Sequence, residues 1–178
     1  MDEQPRAGRG LDELDARLLV TMRAHPRIGL TELARLLGVA RGTVQARVEK
    51  LTARGVIEDF GPTVSPARAG YPILAFVWLQ IAQGRLEEAV AALGAVPQIL
   101  EVHGTSGQHD LLCRVVARST DHLQEIIAHI LASPAVQRTD TTISLSTQIP
   151  YRIAPLLEGG TPRATRHPAA AGEQPEPL

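Results

Sequence analysis

Apolar residues recur at a spacing of three or four along the first third of the chain, which predicts three amphipathic helices. The first begins near residue 11 and ends before Pro26, because a proline biases the preceding residue away from helical geometry. The next two lie within residues 30–54 and meet at Gly38. Their apolar positions are Leu33, Leu36 and Leu37 on one helix and Val44, Val48 and Leu51 on the other. Two short helices around a glycine turn are typical of a helix-turn-helix.

After this helix pair the pattern becomes irregular and then strand-like. Gly55 is placed to end the third helix, and residues 56–60 predict a short strand or wing. Residues 73–81 are almost continuously apolar, which indicates a strand buried on both faces. One face can pack on helices of the same domain, and no later segment can cover the other, so we predict that a second subunit covers it.

Two helical patterns and three further strands follow in the order β-α-β-β-α-β, which is typical of a ferredoxin-like sandwich and makes the fold class α+β. We expect a flexible N-terminus at 1–10, a winged helix-turn-helix domain at 11–61, a linker at 62–72 and the ferredoxin-like domain at 73–157. Residues 158–178 are rich in Gly, Pro and Ala without periodicity, which predicts a disordered tail.

The helix pair is basic although the chain is not. The formal net charge of the 178 residues is −1, whereas residues 27–54 contain six basic and two acidic side chains. A local basic surface suits contact with DNA, because neutralised phosphates release counterions whatever the base sequence. A solvated face on an ordinary helical domain would carry the same charge, and the helix-turn-helix pattern favours DNA.

The third helix carries polar residues beside its apolar positions. Early residues of a recognition helix point at base edges and later ones reach the backbone. We therefore predict that Arg41 and Gln45 contact bases in the major groove, since Arg pairs with guanine and Gln with adenine. Thr43, Arg47 and Lys50 are predicted phosphate contacts. The alternative for each is a solvated surface side chain.

Composition excludes several other classes of protein. Aromatic residues make up 3% of the chain, so a stacking platform for single-stranded nucleic acid is not expected. The single cysteine, Cys113, excludes an internal disulfide and a multi-cysteine metal site, and its apolar strand indicates a core residue. We predict no catalytic group, cofactor or metal. No segment looks like a signal peptide or a membrane span, so we expect a cytoplasmic protein.

Residues 11 to about 157 resemble the leucine-responsive and asparagine regulator family, Lrp/AsnC, of bacterial and archaeal transcription factors. The matching segments are LDELDARLL, RIGLTELARLLGVARGTVQARVEKLTARGVIEDF, AGYPILAFVWLQI, EVHGTSGQHDLLCRVVAR and VQRTDTTISL. The resemblance implies a regulator that binds a pseudo-palindromic double-stranded operator, with effector binding and oligomerisation by residues 73–157. It also implies homodimers or octamers and control by an amino acid or a related metabolite. The family usually has serine at Ala40, so we expect a weakly held recognition helix.

The loop Gly104–Asp110 joins the second and third predicted strands. Its glycines first indicate hairpin chemistry. In the resembling family this loop receives the effector between dimers, and the family's glycine and aspartate match Gly107 and Asp110. Loop amides and Thr105 can hold an α-carboxylate while Asp110 accepts an α-ammonium. The predicted effector-binding residues are Gly104, Thr105, Gly107, His109, Asp110, Thr139 and Thr141.

Three of these positions, His109, Thr139 and Thr141, carry alternatives. Thr139 and Thr141 share one face of a strand and can complete the pocket, or they are β-propensity residues without a binding role. His109 either lines the pocket or only packs.

Two other functions remain open at the level of sequence. Some relatives of this family are haem-pathway decarboxylases acting on sirohaem with the same two-domain build, so the fold alone leaves catalysis open. The segment GTSGQHDLL lacks the histidine- and aromatic-rich loop expected of such enzymes. The other alternative is a ligand-binding module that co-assembles with related subunits and binds no specific DNA.

Overall fold

The computed structural model describes residues 10–159, which fall into two compact units. The helical unit contains residues 10–60 and 151–159, and the sheet unit contains residues 61–150. The predicted flexible N-terminus and disordered tail lie, apart from Gly10, Glu158 and Gly159, outside the described residues.

The helical unit is built on α1 (Glu13–Ala24), α2 (Leu30–Leu37) and α3 (Arg41–Ala53). Gly38 ends α2 with a φ of +70°, a left-handed conformation that glycine adopts without strain. Apolar side chains from all three helices form one core, in which the fully buried members are Leu18, Leu33, Val44 and Leu51. The predicted helix-turn-helix is therefore confirmed.

The predicted strand at residues 56–60 is wrong, because none of these residues is in a strand. The amides of Val56 and Ile57 both donate to the carbonyl of Leu51, at 2.9 and 3.3 Å. Gly55 has a φ of +68°, which lets the chain fold back over the last turn of α3. Both amides therefore form hydrogen bonds with the last turn of α3 and do not pair with a neighbouring strand.

A sixth helix returns to the helical unit from the far end of the chain. This helix, α6 (Ala154–Glu158), packs against α1. The predicted boundary at residue 157 placed this segment in the sheet domain, whereas the structure places residues 151–159 with the helical unit. Its apolar sequence was too short to distinguish a helix that packs on α1 from an extension of the sheet domain.

The sheet unit has the predicted β-α-β-β-α-β order. Its elements are β1 (Ile73–Ile81), α4 (Leu86–Gly94), β2 (Ile99–Gly104), β3 (Leu111–Ala117), α5 (Thr120–Leu131) and β4 (Val136–Ile143). The strands form one antiparallel sheet in the order β2-β3-β1-β4. The α+β fold is therefore confirmed.

The two faces of β1 differ in burial. Ala75, Val77 and Leu79 are fully buried in the core of the sheet unit. The alternate residues Phe76 and Trp78 are only half-buried in the single chain. The sequence predicted that both faces are buried. Within one chain only the face with Ala75, Val77 and Leu79 is fully buried.

Candidate DNA-binding and effector sites

The recognition helix α3 begins without help from a side chain. Its N-cap is Ala40, whose backbone is extended and whose methyl group accepts no hydrogen bond. The amides of Thr43 and Val44 donate to the Ala40 carbonyl at 3.0 and 3.2 Å. An uncapped helix start is less stable than one with serine by about 1 kcal/mol. Packing of α3 on the core must therefore hold the helix in place.

Four of the five predicted DNA contacts lie on the exposed surface of α3. The exposed residues are Arg41, Thr43, Gln45 and Lys50. The core residues Val44 and Leu51 are each 1% exposed, so the buried face of the same helix is fixed. Gln45 donates through Nε2 to Glu49 at 3.0 Å, an exposed pair one helical turn apart. Such a surface pair is weak and can exchange for a DNA base edge.

The fifth predicted contact, Arg47, has a different environment. Its Nη1 donates to Asp12 and to Oδ1 of Asp15, the latter at 2.6 Å, and both carboxylates belong to the start of α1. The Arg47 side chain is 29% exposed and that of Asp15 only 7%. The hydrogen bond from Arg47 lowers the pKa of Asp12 below its ordinary value. The sequence indicates Arg47 but not these acidic partners, because they lie more than thirty residues away along the chain.

The loop Gly104–Asp110, the predicted effector site, is held by its own backbone and side chains. Thr105 N donates to the Asp110 carbonyl at 2.9 Å, and Asp110 N donates to the Leu79 carbonyl at 2.9 Å. The Thr105 hydroxyl donates to the His109 carbonyl at 2.6 Å. Gly107 has a φ of +119°, which only glycine adopts easily. Gly104 ends β2, so the two glycines frame the loop.

Asp110 ties this loop to β1. Its Oδ2 accepts the amide of Ile81 at 2.8 Å. The register between β1 and β4 shifts between Gln80 and Ile81, and a bulge of this kind disturbs the ladder hydrogen bonds. The Asp110 carboxylate therefore provides an acceptor at the bulge. Gln80 adds a second link, because its Nε2 donates to the Gln108 carbonyl at 2.9 Å.

His109 lies beside Asp140, a residue that the sequence did not identify as part of the site. Its Nε2 lies 2.8 Å from Oδ2 of Asp140, and its ring lies 5.6 Å from the ring of Trp78. Arg138 donates to the other oxygen of Asp140 at 3.2 Å. The hydrogen bond with His109 lowers the pKa of Asp140. A histidine, two charged residues and an aromatic ring thus meet on one face of the sheet.

Thr139 and Thr141 do not join this group. They pair with Leu79 and Val77 of β1, whose side chains face the buried core, whereas Asp140 pairs with Trp78 on the opposite face. Side chains on a strand alternate between faces, so Asp140 necessarily points away from its neighbouring threonines. The prediction that the threonines and His109 line one pocket is not supported within a single chain. Strict alternation in TDTT was the signal that could have identified Asp140.

Residues 10–159 contain no cluster of three or more side chains suited to holding a metal ion. The same range has no helix long and apolar enough to cross a membrane.

Comparisons with known proteins assign both units. The AsnC-type helix-turn-helix domain matches residues 11–52, and the Lrp/AsnC ligand binding domain matches residues 74–153. The chain is 30% identical over 137 residues to the HTH-type transcriptional regulator FL11 of Pyrococcus horikoshii, which covers 77% of this chain and 91% of that protein. It is 31% identical over 147 residues to the regulatory protein AsnC of Escherichia coli, covering 82% and 97%.

Solved structures agree with these assignments. The structure of E. coli AsnC superposes with a TM-score of 0.77 at 30% identity, over 83% of this chain and all of that one. The leucine response regulatory protein LrpA of Mycobacterium tuberculosis gives a TM-score of 0.70 at 28% identity, over 80% and 98%. These relatives are named as regulators, which favours regulation over the enzymatic alternative. The chain belongs to the Lrp/AsnC family and is a DNA-binding transcriptional regulator with a C-terminal ligand-binding domain.

Proposed function

We propose that this regulator reads a pseudo-palindromic operator with α3 of two subunits and that an amino acid or a related metabolite controls it in the cytoplasm. The observation that carries the first part is the exposed polar face of α3, opposite a fully buried apolar stripe. Arg41 and Gln45 near the start of the helix are the proposed base contacts. Thr43 and Lys50 are the proposed phosphate contacts.

The test of DNA binding is its salt dependence in a matched pair of variants. Each phosphate contact contributes about 0.9 to the slope of log Kobs against log salt concentration. Lys50→Ala is expected to make this negative slope shallower by about that amount. Arg118→Ala, which removes an exposed cation from the sheet unit, should leave the slope unchanged. Equal slopes for the two variants would contradict phosphate contact by Lys50.

A second subunit is proposed to cover the half-buried face of β1. Phe76 and Trp78 on this face are large apolar groups that gain from removal of water. Arg114 and Glu101 lie on the same face and form an ion pair at 2.8 Å, which supplies polar groups around the apolar centre. Light scattering of the full chain is expected to show a dimer or an octamer, and Phe76→Glu is expected to shift it toward monomer. A monomeric parent protein would contradict this assembly.

The effector is proposed to bind at the loop Gly104–Asp110. The Thr105 hydroxyl is already bonded within the loop, so it shapes the site, and the amides of residues 106–108 are the proposed donors to a carboxylate. Asp110 uses Oδ2 for the Ile81 amide, and its other oxygen is the proposed acceptor for an α-ammonium. His109 with Asp140 forms the adjoining polar wall. Thr139 and Thr141 can act only in a pocket to which another subunit contributes.

Calorimetry of the full chain against the twenty amino acids tests this site. At least one amino acid is expected to give a saturable isotherm. Asp110→Asn keeps an oxygen for the Ile81 amide and removes the charge, so it is expected to weaken that binding at least tenfold. Asp121→Asn, an exposed aspartate on α5, is the control and should bind as the parent does. No isotherm for any amino acid would contradict amino-acid sensing.

A further inference from the structure

We propose that Arg47 orients the recognition helix by its ion pair with α1 and does not serve as a phosphate contact. This goes beyond the DNA-binding function proposed above and rests on it for one of its two readouts. It gives Arg47 a role different from the one that its basic character alone predicts. Arg47, Asp12 and Asp15 form the α1–α3 charge cluster.

The position of Arg47 along α3 places it beside the core. Val44 and Leu51 stand three residues before and four residues after it, and both are 1% exposed. Residues at this spacing share one face of a helix. Arg47 therefore belongs to the side of α3 that faces α1, whereas Arg41 and Lys50 are exposed. Its guanidinium is directed along the protein surface to the start of α1.

The α1–α3 charge cluster joins the start of α1 to the middle of α3 by side-chain hydrogen bonds. One nitrogen of Arg47 contacts both carboxylates. Asp12 is also the N-cap of α1, where its Oδ1 accepts from the Asp15 amide at 2.8 Å, and the Asp12 amide donates to Oδ2 of Asp15 at 3.3 Å. The guanidinium is thus bonded to a capping box that already has fixed geometry.

The buried carboxylate makes this contact more than a surface ion pair. Asp15 is 5% exposed, and a buried carboxylate is costly unless a charge compensates it. Arg47 supplies that charge. Because α3 begins at Ala40 without a side-chain cap, its direction depends on contacts along its length, and Arg47 contributes a charged contact with α1. Loss of the cluster is therefore expected to weaken every DNA contact of α3 together.

The two roles for Arg47 predict opposite effects of neutralising its partners. If Arg47 bound phosphate, Asp12→Asn would free its charge and remove a repulsive carboxylate, so DNA binding would stay equal or tighten. If Arg47 orients α3, Asp12→Asn removes one of the two ion pairs of Arg47, and DNA binding weakens. Asparagine is as good an N-cap as aspartate, so α1 should keep its start in this variant.

Fluorescence anisotropy of the full chain with its own upstream DNA measures this at one fixed salt concentration. Arg47→Met is expected to weaken binding about tenfold and Asp12→Asn about threefold, with the double variant no weaker than Arg47→Met alone. Arg47→Lys should restore part of the loss, because it returns the charge without the planar fork. Equal or tighter DNA binding by Asp12→Asn than by the parent protein would overturn the positioning role.

Hydrogen exchange without DNA provides a readout that is independent of the operator. Arg47→Met is expected to raise exchange at the amides of α3 relative to the parent protein. Lys50→Met, which removes an exposed cation from the same helix, should leave exchange unchanged. Equal exchange in the two variants would contradict the positioning role. Failure of the parent protein to bind DNA would count against the proposed function and leave this readout to decide the role of Arg47.

Discussion

The helix α3 and the loop Gly104–Asp110 use their polar side chains in different ways. On α3, four of the five predicted contact residues stay exposed, and one is committed to an ion pair with α1. In the loop, the Thr105 hydroxyl and one oxygen of Asp110 are committed to backbone groups of the protein itself. The backbone hydrogen bonds of a helix are made within the helix, so its side chains are available to contact a partner. A loop needs some of its side chains to hold its shape, so a ligand must bind to the polar groups that the loop itself does not use.

The largest effect is expected from a core substitution that destabilises the helical unit and leaves the stability of the sheet unit unchanged. Leu51→Ala in α3 removes a side chain that is 1% exposed and should cost the helical unit about 2–5 kcal/mol of unfolding free energy. Trp78, the only tryptophan of the chain, lies in β1 and reports on the sheet unit alone. In urea, the helical circular dichroism should fall at lower concentration while the tryptophan fluorescence transition stays in place. A matching shift of both signals would contradict independent units.

A smaller effect is expected from a substitution within the loop. Thr105→Val removes the hydroxyl that donates to the His109 carbonyl and keeps the shape of the side chain. The loss of this hydrogen bond should cost about 1 kcal/mol and loosen the position of His109 beside Asp140. Trp78 fluorescence measures both effects, because the Trp78 ring lies next to His109. Parent-like stability and parent-like effector affinity together would show that the bond does not shape the site.

A stabilising change is expected at the start of α3. Ala40→Ser places a hydroxyl where the backbone is already extended, so it can accept an amide of the first turn. The expected gain is about 1 kcal/mol in unfolding free energy, with tighter DNA binding. Unchanged or weaker DNA affinity would show that the uncapped start does not limit binding. Gly29→Ser at the start of α2 is the control, because it caps a helix that carries none of the proposed DNA contacts.

The smallest effect is expected from pH. Arg47 lowers the pKa of Asp12 in the folded state, so this contact stabilises the fold at pH values above the ordinary aspartate value of 3.8. The contribution is lost as the pH falls from that value through the lowered pKa of Asp12. Urea midpoints from pH 6 to pH 3, followed by helical circular dichroism, should fall less steeply for Asp12→Asn than for the parent. An unchanged slope would contradict a stabilising contact between Asp12 and Arg47.

Periodicity accounts for what the sequence predicted well. The stripe of Val44 and Leu51 fixes the buried face of α3, and the apolar run of residues 73–81 coincides with β1. Faces of helices and strands follow from a repeat of 3.6 or 2 residues, which is visible in a single sequence. The ferredoxin-like order follows from the same repeats.

Contacts between distant segments account for what the sequence did not predict. Arg47 meets Asp12 and Asp15 only because α1 and α3 cross, and His109 meets Asp140 only because β4 pairs with β1 in one particular register. A shift of that register by one residue would have exposed Thr139 or Thr141 to His109 instead. The return of α6 to α1 is a similar case, because a short apolar segment does not indicate its partner.

We propose that α3 reads a specific DNA sequence, with Arg41 as a base contact. The most direct measurement compares the affinity of the parent protein and of Arg41→Ala for its own upstream DNA and for shuffled DNA of equal length and composition. The parent is expected to prefer its own DNA by about a thousandfold or more at physiological salt, and Arg41→Ala to lose at least tenfold of that preference while still binding shuffled DNA. Equal affinity of the parent protein for both DNA molecules would contradict specific regulation.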